Sequence, residues 1–223
     1  MGPSSSEKSN HSPYGFQERG YGSHQAITQL VGLGTKVLDV GCASGYLMSH
    51  LRYFNECKCT GVEPNTEWAL AARGAGFKVL ELDAMSAFAA LSPSDGFDHI
   101  IFGDVLEHLM NPAEVLKAAV PLLQTGGSVI VSLPNIVSVR ARASITIGVW
   151  RYQDAGIFDK THIRFFTVKT GRELLLNSGY QITHERFVGP LTFWGGERLK
   201  PIVALRPGLL ANQMVFSARP IAS

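Results

Sequence analysis

The sequence predicts an α/β protein built on a mostly parallel seven-stranded sheet, doubly wound, with helices on both faces. Three observations predict it. The stretch Lys36–Leu47, K-V-L-D-V-G-C-A-S-G-Y-L, reads as a buried strand running through a glycine turn into a helix. From Ile27 onward, strand-length and helix-length segments alternate, the pattern of βα units. Thr125-Gly126-Gly127 then stops a helix and turns the chain into a further strand.

The elements follow in order. Polar residues without apolar period make 1–20 a flexible tail, and 21–223 a single domain. A helix is expected over 24–31, then a strand over 36–40 whose Val37, Leu38 and Val40 suit burial on both faces. A helix over 44–53 leads to a strand over 58–63, where Cys57 and Cys59 flank Lys58 and share a face. Helix 65–74, strand 78–82 and helix 84–90 come next, with Asp83 able to cap the last of these. Strand 98–102, helix 112–122, strand 128–133, helix 168–177 and strands 180–187 and 213–218 complete the set. Segment 136–167 is too long for a plain connection and reads as a lid or substrate pocket. Residues 189–210, with Phe193, Trp194, Leu199, Val203, Leu205 and Leu209, form a second insertion suited to pocket closure, a dimer surface or a shallow membrane contact.

The turn after the first strand discriminates between ligands. A dinucleotide fingerprint needs G-x-G-x-x-G, so that a pyrophosphate can rest on a glycine-lined helix start. Here the pattern is D-x-G-x-x-x-G, with Ala43 at the second glycine's place and the Asp39 carboxylate facing the ligand. That arrangement repels a pyrophosphate and suits a cationic head such as the ammonium and sulfonium of S-adenosylmethionine. Gly41 and Gly45 permit close backbone approach, with Cys42 and Ala43 between them. Glu63, 22 residues after Gly41, ends the second strand and could accept both ribose hydroxyls; otherwise it is a solvated loop acid. Asp83 and the Ala84 amide could meet the adenine, and Gly103 with Asp104 could floor the methionine part.

V-L-D-V-G-C-A-S-G resembles the first motif of class I S-adenosylmethionine-dependent methyltransferases, which have a Rossmann-like fold. The resemblance implies S-adenosylmethionine as cofactor and S-adenosylhomocysteine as product. Across 104–112, D-V-L-E-H-L-M-N-P, and 161–167, T-H-I-R-F-F-T, the chain is similar to ubiquinone-pathway O-methyltransferases and small-RNA 3′-end methyltransferases. In those families acids and histidines hold a divalent ion. Carried over, the ligands are Asp104, Glu107, His108 and His162, with Asp104 shorter than the usual Glu. A metal-free reading remains: His108 as general base, oriented by Glu107 and paired with His162. A third leaves His108 packed on the sheet with its ring nitrogens satisfied. The H-x-R-F-F-T string and the closing residues further resemble methyltransferases of cell-surface polysaccharide and secondary-metabolite pathways.

Composition bounds the alternatives. The chain has 223 residues and is 45% hydrophobic, its longest apolar runs are too short for a membrane span, and a net charge of +2 is too small to suggest nucleic acid. Three cysteines cannot all pair and no signal-peptide pattern opens the sequence, so a reducing cytoplasm is expected. Ser138–Arg172 holds seven Lys/Arg against two acids, a local excess of five that leaves the remainder at −3. That basic segment favours an anionic small molecule or glycan as acceptor, unless it is simply a solvated face. The expected activity is O-methylation. The alternative is a non-catalytic cofactor-binding protein acting through a partner.

Overall fold

A computed structural model of the chain describes residues 22–189, 198 and 200–221. The expected tail over 1–20, and Phe193, Trp194 and Leu199 of the second insertion, lie outside the described residues. Seven strands form one sheet: β1 (Lys36–Val40), β2 (Lys58–Val62), β3 (Lys78–Leu80), β4 (Phe97–Gly103), β5 (Leu123–Pro134), β6 (Tyr180–Val188) and β7 (Gln213–Pro220). Their order is β3-β2-β1-β4-β5-β7-β6; β1 to β5 run parallel, and β7 is antiparallel to both its neighbours. The helices are α1 (Ser23–Thr28), α2 (Tyr46–Phe54), α3 (Thr66–Gly74), α4 (Ala84–Ala90), α5 (Pro112–Ala119), α6 (Val139–Thr146), α7 (Val168–Asn177), α8 (Lys200–Leu205) and α9 (Pro207–Leu210). Among the described residues no helix is long and apolar enough to cross a membrane.

Strand alternation divides the core in two. Leu38, Val40, Ile100, Phe102, Val129, Val131 and Phe216 pack with Phe88, Leu116 and Leu175 from α4, α5 and α7. Val37, Ile101, Ile130 and Val215 face the other way, onto Ala26 and Ile27 of α1 and Leu47 and Leu51 of α2. Tyr180 lies in the first layer and its buried hydroxyl donates to the Leu116 carbonyl at 2.7 Å. This arrangement leaves the carboxyl ends of β1, β2 and β4 together, the edge where open α/β sheets bind ligands.

Two local features differ from the sequence reading. The glycine turn lies inside β5 rather than before it: Phe97 pairs with Leu123 and His99 with Ser128, so the intervening residues are extruded at Gly126 (φ 82°). A Cβ on Gly127 would come within 2.9 Å of the Gln124 and Phe97 carbonyls, which explains the second glycine. Segment 136–167 also begins with a helix, α6, capped by Ser138 Oγ accepting from the Ala141 amide. Only Ala141 of α6 is buried, so it lacks the apolar stripe that would mark a helix in sequence.

The motif turn rests on a glycine in the neighbouring strand. A Cβ at Gly61 of β2 would fall onto Cys42 Sγ and within 2.9 Å of Met48 Cε. Gly61→Ala should therefore destabilise the chain by about 1–3 kcal/mol, the range for overpacking. Urea unfolding would detect this, and an unchanged midpoint would show that the layer beneath the turn is loosely packed.

Candidate functional site

The turn after β1 takes three left-handed residues in five: Gly41 (φ 75°), Ala43 (φ 46°) and Gly45 (φ 82°). For alanine this conformation costs roughly 1–2 kcal/mol. Hydrogen bonds hold it. The Ala43 amide donates to Glu63 Oε2 at 2.9 Å, and the Gly41 and Cys42 amides both donate to the Val62 carbonyl. Glu63 Oε1 accepts from the Asn65 amide, also at 2.9 Å. Glu63 is thus a buried acid that clamps the turn, and each of its oxygens keeps a second lone pair for a ligand hydroxyl. The sequence suggested the ligand contact but gave no sign of the clamp, because both donors are backbone groups.

Beside it, Asp39 is buried and its carboxyl is pushed up to about 7, first by desolvation and then by the charge of Glu63. Neither acid has a Lys or Arg partner among the described residues. Two neighbouring buried carboxylates at strand ends form a site that a cationic ligand completes. The residues here fit the ligand inferred from the motif. Asp83 caps α4, accepting from the Ser86 amide at 3.0 Å and its hydroxyl at 2.6 Å, and these bonds hold its carboxyl below the ordinary range.

At the end of β4 the chain turns at Asp104 (φ 57°) into a 3₁₀ turn, Leu106–His108. Asp104 Oδ1 accepts from Ser132 Oγ of β5 and Gln213 Nε2 of β7, so this carboxylate joins three strands. The 3₁₀ turn points Glu107 inward, fully buried, with neither carboxylate oxygen hydrogen-bonded. Burial, then the charges of Asp104 and Asp159, hold its carboxyl well above the usual range.

Residues 157–164 lie over this turn as a strap. The Ile163 and Arg164 amides both donate to the Glu107 carbonyl at 3.0 Å. His108 Nδ1 lies 3.1 Å from both the Thr161 carbonyl and the Thr161 hydroxyl oxygen, whose own proton is given to Asp159 Oδ1, and His162 Nδ1 lies 3.3 Å from the Ile157 carbonyl. A carbonyl only accepts, so both contacts place the imidazole proton on Nδ1 and the lone pair on Nε2. His162 Nε2 then faces Glu107 Oε1 at 3.8 Å, and the two rings meet edge to face at 4.8 Å. Burial, then His108, lowers the His162 pKa. One ligand atom from each of Glu107, His108 and His162 falls within 4.8 Å of the others. Asp104, the fourth residue implied by the resemblance, does not join this group. Asp159 supports the strap, its Oδ1 accepting from the Thr161 amide (2.8 Å) and hydroxyl (2.6 Å). Trp150 stacks edge-on against Phe158 and Phe165, forming an aromatic wall beside His162.

The basic segment is less cationic than its composition suggests. Arg172 forms a two-point pair with Glu185 at 2.6 and 2.7 Å, Lys160 pairs with Asp154 at 2.7 Å, and Lys169 lies 3.8 Å from Glu173. Arg142 and Arg164 donate to backbone carbonyls of Val137 and of Leu109 and Met110. Arg140, Arg142, Arg151 and Arg164 are left without a carboxylate partner among the described residues.

Residues 16–185 match the family model described as a methyltransferase domain. The chain is 27% identical over 193 residues to the bifunctional methionine biosynthesis protein MetXA/MetW of Rhodopirellula baltica, covering 79% of this chain and 29% of that protein. It is 27% identical over 190 residues to a ubiquinone biosynthesis O-methyltransferase of Psychrobacter arcticus, covering 77% and 70%. The chain spans under half the length of most of the curated relatives it matches. Among solved structures, an S-adenosylmethionine-dependent methyltransferase from Archaeoglobus fulgidus superposes with a TM-score of 0.61 at 18% identity, over 88% of this chain and 94% of that one, a likeness of fold.

Asp39 supplies a test of the buried acid pair. An acid whose folded pKa is raised stabilises the fold while protonated, and that stability is lost as pH rises from its unfolded value toward about 7. Asp39→Asn should therefore be more stable than the parent at pH 8, without ligand, and the gain should shrink toward pH 4. Urea unfolding at several pH values measures this. A variant equally or less stable at pH 8 would mean that the carboxylate is well solvated or paired.

Proposed function

The chain belongs to the methyltransferase-domain family, and on that premise we propose that it is an S-adenosylmethionine-dependent methyltransferase that methylates a hydroxyl of an anionic small molecule or glycan. The observation that carries the acceptor chemistry is the convergence of Glu107, His108 and His162, each bringing one possible ligand atom within 4.8 Å of the others, while neither oxygen of Glu107 has a hydrogen-bond partner. Such a set suits a divalent cation: each imidazole has its other nitrogen oriented by a carbonyl, the usual outer support of a metal-binding histidine. The ion would be held by these three side chains and would lower the pKa of an acceptor hydroxyl bound beside them.

The cofactor, when bound, supplies a methyl group already activated by its sulfonium. This chain's residues bind and orient. Glu63 accepts hydroxyls, Asp39 provides negative charge, and Gly41, Cys42, Ala43 and Gly45 allow close approach. Asp83 and Ala84 bound the adenine side, and Gly103 with Asp104 the methionine side. Glu107, His108 and His162 orient the acceptor oxygen, whose proton would leave to solvent once its pKa is lowered, and Trp150 and Phe165 exclude water from one side. The unpaired Arg140, Arg142, Arg151 and Arg164 support an anionic acceptor. Segment 136–167 serves as a substrate-facing insertion of the domain.

Titration of the cofactor-free protein with Mn²⁺ or Zn²⁺ should show one site that His108→Ala and His162→Ala each weaken at least about tenfold, with S-adenosylmethionine affinity unchanged. Chelation should stop S-adenosylhomocysteine production on a panel of phenols, catechols and sugar acids, and added metal should restore it. Both variants should reduce turnover by ~10²–10⁴-fold. Turnover that survives chelation but fails in the variants would assign the histidines as a metal-free base pair. Full turnover in both variants would place the chemistry elsewhere.

A further inference from the structure

The face of the sheet beneath α1 changes character partway along its strands. Val37, Ile101, Ile130 and Val215 form its apolar core. Two residues back along β4 and β5, on the same face, stand His99 and Ser128, paired in register and bonded Nδ1 to Oγ at 3.0 Å. Ser217 of β7 lies opposite Ile130, also on this face. Ser128 and Ser217 are both buried. Apolar side chains would fill this layer at lower cost, so a run of polar groups here needs a reason.

The polar groups line a cavity of about 160 Å³, roofed by Gln29 and Leu30 after α1. Its cationic side chains are Arg186 and Arg219, with His99 and His184 beside them, and no carboxylate among the described residues lines it. Neither arginine has a carboxylate partner among the described residues; Arg186 Nη1 donates to the Glu185 carbonyl. The nearby acids are engaged elsewhere: Asp98 accepts from the Lys36 amide at 2.8 Å and from Gln124 Nε2, and Glu185 pairs with Arg172. The β6–β7 register shifts between Ile182 and His184, and both Thr183 and His184 line the cavity. Thr183 Oγ1 donates to the Ser217 carbonyl at 3.0 Å. Two unpaired guanidinium groups over a floor of hydroxyls match the donor geometry that tetrahedral oxyanions take.

We propose that this cavity binds a small phosphate-class anion, free phosphate or a phosphomonoester. His99 stands four residues before Gly103 on β4, roughly 13 Å along the strand, so the cavity lies toward the opposite end of the sheet from the Glu107–His108–His162 group. It is a second site, independent of the methyl-transfer chemistry. Its occupant bridges β4 and β5 to the antiparallel β6–β7 pair.

Titration of the whole chain with inorganic phosphate and with glycerol 3-phosphate, followed by ³¹P line broadening at ionic strength fixed with NaCl, tests it. Saturable binding of at least one is expected. Arg186→Ala combined with Arg219→Ala should weaken it by about tenfold or more, while S-adenosylmethionine affinity stays unchanged. Equal affinity for the two probes would identify the phosphate group alone as the ligand, and selective binding of the ester would identify a monoester. Should the double variant fold poorly, Arg219→Lys at the exposed position keeps the charge and removes the fork, and should still weaken binding. No saturable binding up to ~20 mM of either probe, or undiminished binding in the folded variants, overturns the proposal.

Discussion

A carboxylate that is fully buried and accepts no hydrogen bond is costly, and Glu107 is such a group. Its surroundings lessen the cost without removing it. The strap 157–164 satisfies the Glu107 backbone carbonyl with two amides, and Glu107 Oε1 is left 3.8 Å from His162 Nε2. Burial, then the charges of Asp104 and Asp159, displaces its pKa upward, toward the neutral form. On the proposed function, a divalent cation held here would relieve that cost. Function and stability oppose each other at this residue, as they do at many functional sites.

The cofactor end uses the same device in milder form. Asp39 and Glu63 are like charges held close in a buried place, and Glu63 also clamps a left-handed alanine. Removing Glu63 would cost the turn its clamp as well as the hydroxyl acceptor proposed for the ligand. A loss of affinity in such a variant therefore mixes two effects, whereas Asp39, with no structural bond of this kind to lose, reports electrostatics more directly. The two sites meet at Asp104. Its carboxylate fixes the end of β4 to β5 and β7, and its charge still reaches Glu107 and His162.

Much of the fold was legible because local signals agreed with the global one. Strand 36–40 and helices 84–90 and 168–177 fall where the sequence puts them, the helices because Asp83 and Thr167 cap them. Helix α6 was not legible, because a helix with one buried residue has no apolar period to read. In the site, residue types were legible and arrangement was not. Glu107 and His108 stand together in sequence, but His162 reaches them only through backbone hydrogen bonds of the strap, which no side-chain pattern encodes. The diversion of Asp104 depends on Ser132 and Gln213, distant in the chain. The apparent basic rim counted Lys169 and Arg172 as free charges, when Glu173 and Glu185, just outside the counted stretch, pair with them.

The central claim is that His108 and His162, each with its proton on Nδ1, converge on the buried side chain of Glu107. A long-range ¹H–¹⁵N correlation spectrum of the histidine rings, taken on metal-free protein at neutral pH, observes this directly. The account predicts the Nδ1–H tautomer for both His108 and His162, with both Nε2 resonances moving when Zn²⁺ is added and neither moving in Glu107→Gln at the same metal concentration. An Nε2–H tautomer at either ring, or Nε2 resonances indifferent to the metal in the parent protein, would contradict it.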